Sequence, residues 1–274
     1  MSDRTQSASV LDAILARTRE TVARERPRRP LDRLHPEVTG APAVRPFAKA
    51  LGRPGRLNVI AEHKRRSPSR GVIREDLAPA EVARAYEAAG AAALSVLTDA
   101  PFFGGELAHL GAARSATKLP VLRKDFTLEA WQIWEARAAG ADAVLLIVAA
   151  LGDAELRELL GEARAVGVDA LVEVHDRGEL ERALAVGARL VGVNNRDLRT
   201  LAVSLDTSLA LAPAIPDDVV AVAESGLRSA DDLRRLHDAG FDACLVGEHL
   251  MASPDPGNAL RELLAPAGAT GGWS

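Results

Sequence analysis

The sequence has little cysteine and few aromatic residues, and each shortage argues against a class of protein. A single cysteine, Cys244, among 274 residues can form neither an internal disulfide nor a cysteine-based metal cluster. Because Cys244 lies in an apolar run, we expect it to be an inert core thiol. Aromatic residues make up 3% of a chain that is 47% hydrophobic, so Ala, Leu and Val must build the core. Neither a disordered chain nor a β-sandwich is indicated.

Charge and hydropathy are also without extremes. The 34 basic and 38 acidic residues give a formal net charge of -4, which offers no general attraction to nucleic acid or anionic lipid. The longest apolar run, at 143–151, is too short to span a bilayer, and the first residues lack the apolar stretch of a signal peptide. We therefore expect a cytoplasmic protein, a monomer or weak homodimer, that binds neither nucleic acid nor membrane.

One motif is present in five copies: AAGAAALSVL, AAGADAVLLI, AVGVDALVEV, AVGARLVGVN and DAGFDACLVG. Each copy has the end of a helix, a glycine suited to a left-handed cap, and a short apolar strand. Further apolar runs at 57–61, 119–122 and 219–223 bring the predicted strands to eight. Alternating strands and helices predict a parallel sheet, and eight units in about 250 residues predict a (β/α)8 TIM barrel. A doubly wound open sheet is the alternative, but no G-x-G-x-x-G follows the first strand.

Residues 1–45 lie outside this repeat and are predicted to form a helical extension and a connector. The segment SVLDAILARTRETVARE predicts an amphipathic helix that packs on the barrel. Its apolar face carries Leu11, Ile14, Leu15 and Val22. We interpret the following RPRRPLDRLHPEVTGAP as a solvated connector rather than a partner site. The catalytic barrel is predicted over 46–265, followed by a flexible tail over 266–274.

Active sites of TIM barrels lie at the carboxyl ends of the strands, where this chain places polar residues. These residues are Glu62, Lys64, Thr98, Lys124, Asp125, Glu173, His175, Asn194, Arg196, Glu224 and Ser225. Alternation along the first strand puts Glu62 and Lys64 on one face and directs His63 towards the helices. If the shared face is the lumen, two glutamates and two lysines converge in a desolvated mouth that shifts their pKa values. An ordinary ion-pair network between strands is the alternative.

The loops after the last two strands contain glycines that suit a phosphate site. Gly226 in AESGL and Gly247 in LVGEHLM would let the backbone approach an anion, as is common at this position of TIM barrels. The six histidines show no H-E-x-x-H pattern, so we expect no metal. No serine nucleophile motif is present either.

Nine segments in order resemble the indole-3-glycerol phosphate synthase family over nearly the whole chain. They are LDAILARTRE, VIAEHKRRSPSRGVI, LSVLTDAPFFGG, LPVLRKDF, ADAVLLIVAAL, LVEVHDRGEL, VGVNNRDL, VAESGL and CLVGEHLM. The resemblance implies a carboxy-lyase of tryptophan biosynthesis that needs no cofactor. Its substrate would be 1-(2-carboxyphenylamino)-1-deoxyribulose 5-phosphate, which loses CO₂ and water to give indole-3-glycerol phosphate.

The resemblance also implies roles for residues. Lys124 would be the acid of ring closure, and Lys64 would hold the substrate carboxylate and serve in the second proton transfer. Glu173 and Glu62 would act as base or electrostatic partner, and which of them takes the proton stays open. The remaining implied catalytic residues are Asn194 and Ser225. The implied substrate-binding residues are Ser67, Phe103, Phe126, Arg196, Glu224, Gly226, Leu245, Gly247 and Glu248.

Within this implied site, Ser67, Asn194 and Arg196 would orient the carboxylate and the ribulose end. Glu224 and Ser225 would lie beside the phosphate. The two phenylalanines would wall the aromatic ring, with plain lid and core positions as the alternative.

Two positions depart from the family. Glu248 stands where many members have serine, so its side chain would turn to solvent while its amide serves the phosphate. His63 stands where an aliphatic residue is usual, and we expect it to affect packing or pH response.

Other functions stay open on the same scaffold. An isomerase like that for phosphoribosylanthranilate would leave the second lysine without a task, and an aldolase would form an imine. An RNA-binding role for HKRRSPSR is disfavoured, because no aromatic residues are interleaved with its charges.

Overall fold

The computed structural model describes residues 9–52, 57–197 and 200–265. Eight strands form its main sheet: β1 (Asn58–His63), β2 (Ala93–Leu97), β3 (Val121–Lys124), β4 (Ala143–Ile147), β5 (Asp169–Val174), β6 (Leu190–Asn194), β7 (Val220–Glu224) and β8 (Ala243–Val246). The α-helices are α1 (Val10–Glu25), α2 (Leu31–Gly40), α3 (Phe47–Leu51), α4 (Pro79–Ala89), α5 (Ala100–Phe103), α6 (Leu107–Ala116), α7 (Ala130–Ala138), α8 (Asp153–Val166), α9 (Arg177–Ala185), α10 (Asp206–Leu211), α11 (Ala230–Asp238), α12 (Glu248–Met251) and α13 (Pro256–Leu264).

The main sheet is a closed barrel in which every strand pairs in parallel with its neighbours in the chain, and β8 pairs with β1. The predicted (β/α)8 barrel is therefore confirmed, and the open sheet is wrong. The glycines of the repeated motif all have positive φ values, as their left-handed caps require. They are Gly90, Gly140, Gly167, Gly187 and Gly240.

Two apolar layers stabilise the barrel. The larger layer lies between the strands and the helices, and Cys244 belongs to it as a fully buried thiol. The smaller layer fills the lumen with inward side chains such as Leu122, Leu171 and Val222. Phe47 of α3 joins this inner layer, and α3 is tied to the start of β5 where the Ala48 amide donates to Asp169 at 2.9 Å. The amino-terminal end of the barrel is thereby closed, so the opposite end is left for a site.

The predicted amino-terminal helix is confirmed as α1, which buries Ile14, Leu15 and Val22. The stretch interpreted as a solvated connector is more ordered than expected, because α2 lies within it. Leu34 of α2 is fully buried against Val22 and Trp131. Pro36 inside the helix obscured the apolar spacing in the sequence. The predicted tail over 266–274 lies outside the described residues.

His63 lies outside the lumen, as alternation along β1 predicts. Its ring meets the ring of His109 on α6 edge to face, with centroids 5.7 Å apart. Its Nε2 atom has no hydrogen-bond partner among the residues described. Burial, with His109 and Arg65 nearby, lowers the pKa of His63 from 6.5 to about 4. His63 is therefore neutral in the folded protein at physiological pH.

We expect this buried imidazole to make the fold sensitive to acid. The unfolded chain takes up a proton below pH 6.5 that folded His63 resists until about pH 4, so the free energy of unfolding falls across that window. The loss should reach up to about 3 kcal/mol. Thermal melts of His63→Leu should show a smaller decrease in Tm on acidification than wild type. The exposed His35→Leu variant is the control, and parallel melting curves for His63→Leu and wild type would contradict the effect.

No helix among the residues described has the length and apolarity needed to cross a membrane.

Candidate active site

Lys124, the last residue of β3, lies at the centre of a carboxylate cluster at the carboxyl end of the barrel. Its Nζ atom is 2.8 Å from Glu173 Oε2 at the end of β5 and 2.7 Å from Glu224 Oε2 at the end of β7. The sequence interpretation placed Glu224 beside a phosphate, but its carboxylate instead contacts this lysine. The reason is that β7 directs Glu224 inward, and both carboxylates are almost completely buried. The two oxygens therefore hold the ammonium group between them.

Glu62 and Lys64 form a second pair in the same mouth. Lys64 Nζ lies 3.0 Å from Glu62 Oε1, and the Ser95 hydroxyl donates to Glu62 Oε2 at 3.1 Å. Both residues face the lumen, as alternation along β1 predicts. The Lys64 side chain keeps 14% of its surface exposed against 4% for Glu62, so the lysine is the more accessible partner.

Asn194, at the end of β6, fixes the orientation of Glu173. Its Nδ2 donates to Glu173 Oε1 at 3.1 Å, and its Oδ1 accepts from the Arg196 amide at 3.0 Å. Because the side-chain amide is held from both sides, the second oxygen of Glu173 is directed to Lys124. The predicted catalytic residues on β1, β3, β5, β6 and β7 are thus brought together by the barrel.

Two glycines make room for the buried carboxylates. A Cβ at Gly192 of β6 would overlap the carboxylate of Glu224, and one at Gly247 would overlap that of Glu62. These glycines are needed for close approach of side chains. Gly247 was predicted to serve an anion, whereas the contact that the structure shows is with Glu62.

The cluster shifts the pKa values of its members in opposite directions. Burial lowers the pKa of Lys124, but Glu173 and Glu224, together with Glu62, outweigh burial and raise it above its usual range. Burial raises the pKa of Glu173, but Lys124 and His175 outweigh burial and hold it below its usual range. Burial and the like charges of Glu173 and Glu62 raise the pKa of Glu224 to about 7, despite Lys124. At neutral pH the site therefore holds a charged lysine beside one ionised and one partly protonated carboxyl.

Most of the predicted site residues line one pocket at this end of the barrel. They are Glu62, Lys64, Ser67, Phe103, Lys124, Phe126, Glu173, Asn194, Arg196, Glu224, Ser225 and Leu245. The rings of Phe103 and Phe126 lie 6.2 Å apart and are inclined by 34° on one wall. Gly226, Gly247 and Glu248 line an adjoining pocket that shares Arg196 and Ser225 with the first. The two adjoining pockets therefore form one site, with an aromatic wall at one end and glycines at the other.

The glycine-rich end begins with an unusual turn after β7. Ser225 has φ 68° and Gly226 has φ 84°, so two successive residues adopt the left-handed conformation. For a serine this conformation is strained, and such strain is concentrated at functional sites. A Cβ at Gly226 would also lie 2.7 Å from Val203 Cγ1, which explains why glycine stands there.

The Glu248 side chain does not turn to solvent as expected. Its Oε1 lies 3.3 Å from Arg70 NH1, and its Oε2 lies 3.6 Å from Arg196 NH2. Arg70 belongs to the hairpin formed by residues 66–72 after β1. The two arginines attract the carboxylate, which explains how an acid is accommodated at this end.

Some strand-end residues are not part of the cluster. Thr98 and Asp125 contact each other and Arg123, which also lies 2.9 Å from Glu135 on α7. Arg123 alternates with Lys124 along β3 and so faces the helices. Thr98 and Asp125 therefore belong to a side-chain network with Arg123, and Asp125 also lines the main pocket.

The structure adds apolar wall residues that the sequence did not reveal. Val10, Leu11 and Ile14 of α1 line the main pocket. Their apolar spacing was visible in the sequence, but not where the helix lies. Leu145 and Ile147 of β4 also line the pocket, and alternation along that strand could have identified them.

Comparison with known families identifies the family of this chain. The family model described as indole-3-glycerol phosphate synthase matches residues 11–263. This chain belongs to the indole-3-glycerol phosphate synthase family. The resemblance stated for the sequence is thus confirmed. The match includes α1 except for its first residue, the hairpin and every strand of the barrel, so the indole-3-glycerol phosphate synthase pattern covers both the amino-terminal helix and the barrel.

Related proteins match this chain over almost their full length. The indole-3-glycerol phosphate synthase of Albidiferax ferrireducens is 49% identical over 261 residues, covering 94% of this chain and 99% of that protein. The synthase of Azoarcus sp. is 50% identical over 261 residues, covering 93% and 99%. Among solved structures, thiamine phosphate pyrophosphorylase from Pyrococcus furiosus has a TM-score of 0.57 at 19% identity, covering 76% of this chain and 94% of that chain. At such low identity that likeness shows the fold alone.

Proposed function

We propose that this chain performs its family's reaction with Lys124 as the acid of ring closure. The reaction converts 1-(2-carboxyphenylamino)-1-deoxyribulose 5-phosphate to indole-3-glycerol phosphate in tryptophan biosynthesis, and the chain is in this sense a carboxy-lyase. The observation that carries the proposal is the buried Lys124 ammonium held between Glu173 and Glu224. The two carboxylates keep Lys124 protonated at neutral pH, as a proton donor must be before the reaction begins.

In the first step the aromatic carbon that bears the carboxylate attacks the ketose carbonyl. Lys124 donates a proton to the carbonyl oxygen, which becomes a hydroxyl group as the new carbon–carbon bond closes the ring. Positive charge placed beside an oxygen that gains negative charge stabilises the transition state in a desolvated site. Loss of CO₂ then returns the bond electrons to the ring and restores aromaticity.

The second step removes water and needs one acid and one base. Lys64 serves as the acid that protonates the departing hydroxyl, after it has held the substrate carboxylate. We assign the base to Glu173, which takes a proton from the methylene carbon next to the former carbonyl. Its direct contact with Lys124 supports this choice. Lys124 protonates the carbonyl oxygen, and the methylene carbon is bonded directly to that carbonyl carbon. Glu62, by contrast, is paired with Lys64 and accepts a hydrogen bond from the Ser95 hydroxyl.

Substrate binding uses the two ends of the pocket. Phe103 and Phe126 pack against the aromatic ring, and Ser67 with Arg196 orients the carboxylate and the ribulose end. The phosphate lies at the glycine-rich end, beside Ser225 and the backbone of Gly226 and Gly247. Arg70 and Arg196 supply positive charge there, shared with Glu248. We further propose that the chain acts in the cytoplasm, where its family's biosynthetic reaction would take place, and that it is a monomer or weak homodimer, because the residues proposed for the reaction all come from one chain.

Borohydride trapping during incubation with the substrate tests this proposal against an aldolase-like mechanism. A Schiff base between a lysine and the ketose would be reduced to a stable adduct. We expect mass spectrometry to find no reduced adduct on Lys124 or Lys64. A substrate-dependent adduct on either lysine would contradict acid catalysis by these residues.

A further inference from the structure

The imidazole of His175 lies between two glutamates at the edge of the site and has no role in the reaction proposed above. His175 Nε2 is 3.4 Å from Glu173 Oε1, and His175 Nδ1 is 3.0 Å from Glu179 Oε2. Only 14% of the His175 side chain is exposed. The oxygen of Glu173 that faces His175 is the one turned away from Lys124, so Glu173 is flanked by a basic group on each side.

The local backbone holds this arrangement in place. Glu173 and His175 are two residues apart at the end of β5, so their side chains lie on the same face. Glu179 is in the first turn of α9, where its amide donates to Asp176 Oδ1 at 2.9 Å. Its carboxylate accepts the backbone amide of His175 at 2.8 Å as well as contacting the ring. The imidazole is therefore fixed by one glutamate against the other.

The surroundings favour the charged form of His175. Burial lowers its pKa, but the contacts with Glu173 and Glu179 outweigh burial and raise the pKa to about 10. The other charged residues that line the adjoining groove are Asp12 on α1, Asp176 and Asp197, and all are acidic. With His175 protonated, the mouth holds three basic groups, Lys64, Lys124 and His175, beside the carboxyl groups of Glu62, Glu173 and Glu224.

The reaction itself changes the charges around Glu173. When Lys124 gives its proton to the carbonyl oxygen, the lysine becomes neutral and Glu173 loses its nearest cation. A buried carboxylate without a cation takes up a proton more readily, and a protonated carboxyl cannot act as the base of the next step. His175 is the one cation besides Lys124 within 4 Å of Glu173 in the described part of the chain.

We propose that His175 is a positioning residue for this reaction: held by Glu179, its imidazolium keeps Glu173 ionised while Lys124 is neutral. The inference rests on the proposed roles of Lys124 and Glu173. It assigns a task to the Glu173–His175–Glu179 row that a purely structural ion pair does not have.

The test is the pH profile of kcat for His175→Gln, followed by indole fluorescence with the carboxyphenylamino-deoxyribulose phosphate as substrate. We expect kcat to fall about 10-fold and its acidic limb to move up by about one pH unit, because Glu173 accepts a proton more readily. KM should stay within about threefold of wild type, since His175 does not line the pocket proposed to hold the substrate. His35→Gln, on the exposed face of α2, is the matched control and should give the wild-type profile.

Glu179→Gln provides a second test, in which the other limb of the pH profile of kcat should move. Without Glu179 the imidazolium loses one anion, so His175 loses its proton at a lower pH. We expect the alkaline limb of kcat to move down by about one pH unit while the acidic limb stays in place. This result does not depend on whether His175→Gln folds.

The outcomes separate this inference from the proposed function. Both limbs unshifted, with any loss of kcat equal at every pH, would show a structural role and overturn the inference alone. No product from wild type would overturn the proposed function and the inference with it. Shifted limbs in the two variants, with product from wild type, would support both.

Discussion

Lys124→Met is expected to slow ring closure by about three to five orders of magnitude while the barrel stays folded. The substitution removes the proton donor and, at the same time, the positive charge beside the carbonyl oxygen. Methionine has nearly the length of lysine, so the space between Glu173 and Glu224 remains filled. Single-turnover formation of indole-3-glycerol phosphate, followed by fluorescence, measures the effect.

Controls must separate lost chemistry from lost stability. Removing one partner of a buried ion pair costs about 3–5 kcal/mol, and this variant leaves Glu173 and Glu224 without their shared cation. Lys124→Met combined with Glu224→Gln removes one of these charges and should recover much of the free energy of unfolding while staying inactive. Lys118→Met, at an exposed lysine, should behave as wild type. Near-normal turnover in Lys124→Met would contradict its role as the acid.

Glu173→Gln is expected to lower the rate of indole-3-glycerol phosphate formation by about two to four orders of magnitude. An amide cannot take the methylene proton during loss of water, so the decarboxylated alcohol should accumulate. Release of CO₂ should therefore fall much less than formation of indole, because Lys124 keeps Glu224 as its partner. Parallel assays of CO₂ and indole fluorescence measure the two steps separately.

Glu62→Gln is the matched comparison, because Glu62 is an equally buried glutamate of the same mouth. It pairs with Lys64, so its loss should weaken both steps together rather than separate them. If Glu62→Gln released CO₂ without forming indole, while Glu173→Gln lost both products equally, the base would be Glu62.

Local patterns predicted the fold because each strand and cap is determined by nearby residues. Gly90 and Gly240 mark helix ends that need positive φ values, and alternation along β1 correctly separated Glu62 from His63. Closure into a barrel followed from the number of repeats. The sequence could therefore locate the carboxyl ends of the strands, and with them the pocket.

What the sequence did not reveal depends on contacts between distant segments. The contact of Glu224 with Lys124 spans 100 residues, and the Arg70–Glu248 pair spans 178. Neither has a local signature. The position of α1 over the pocket is of the same kind, since an apolar stripe shows that a helix packs but not on what. His175 was recognised as a polar strand end, but its flanking glutamates became evident only in three dimensions.

The most direct test of the proposed mechanism is to give the purified 274-residue chain 1-(2-carboxyphenylamino)-1-deoxyribulose 5-phosphate and to measure CO₂ and indole-3-glycerol phosphate together. The proposed mechanism, with Lys124 as the acid, predicts that the two products appear in equal amounts and that both disappear in Lys124→Met. Consumption of the substrate without CO₂, or product formation that is indifferent to Lys124, would contradict it.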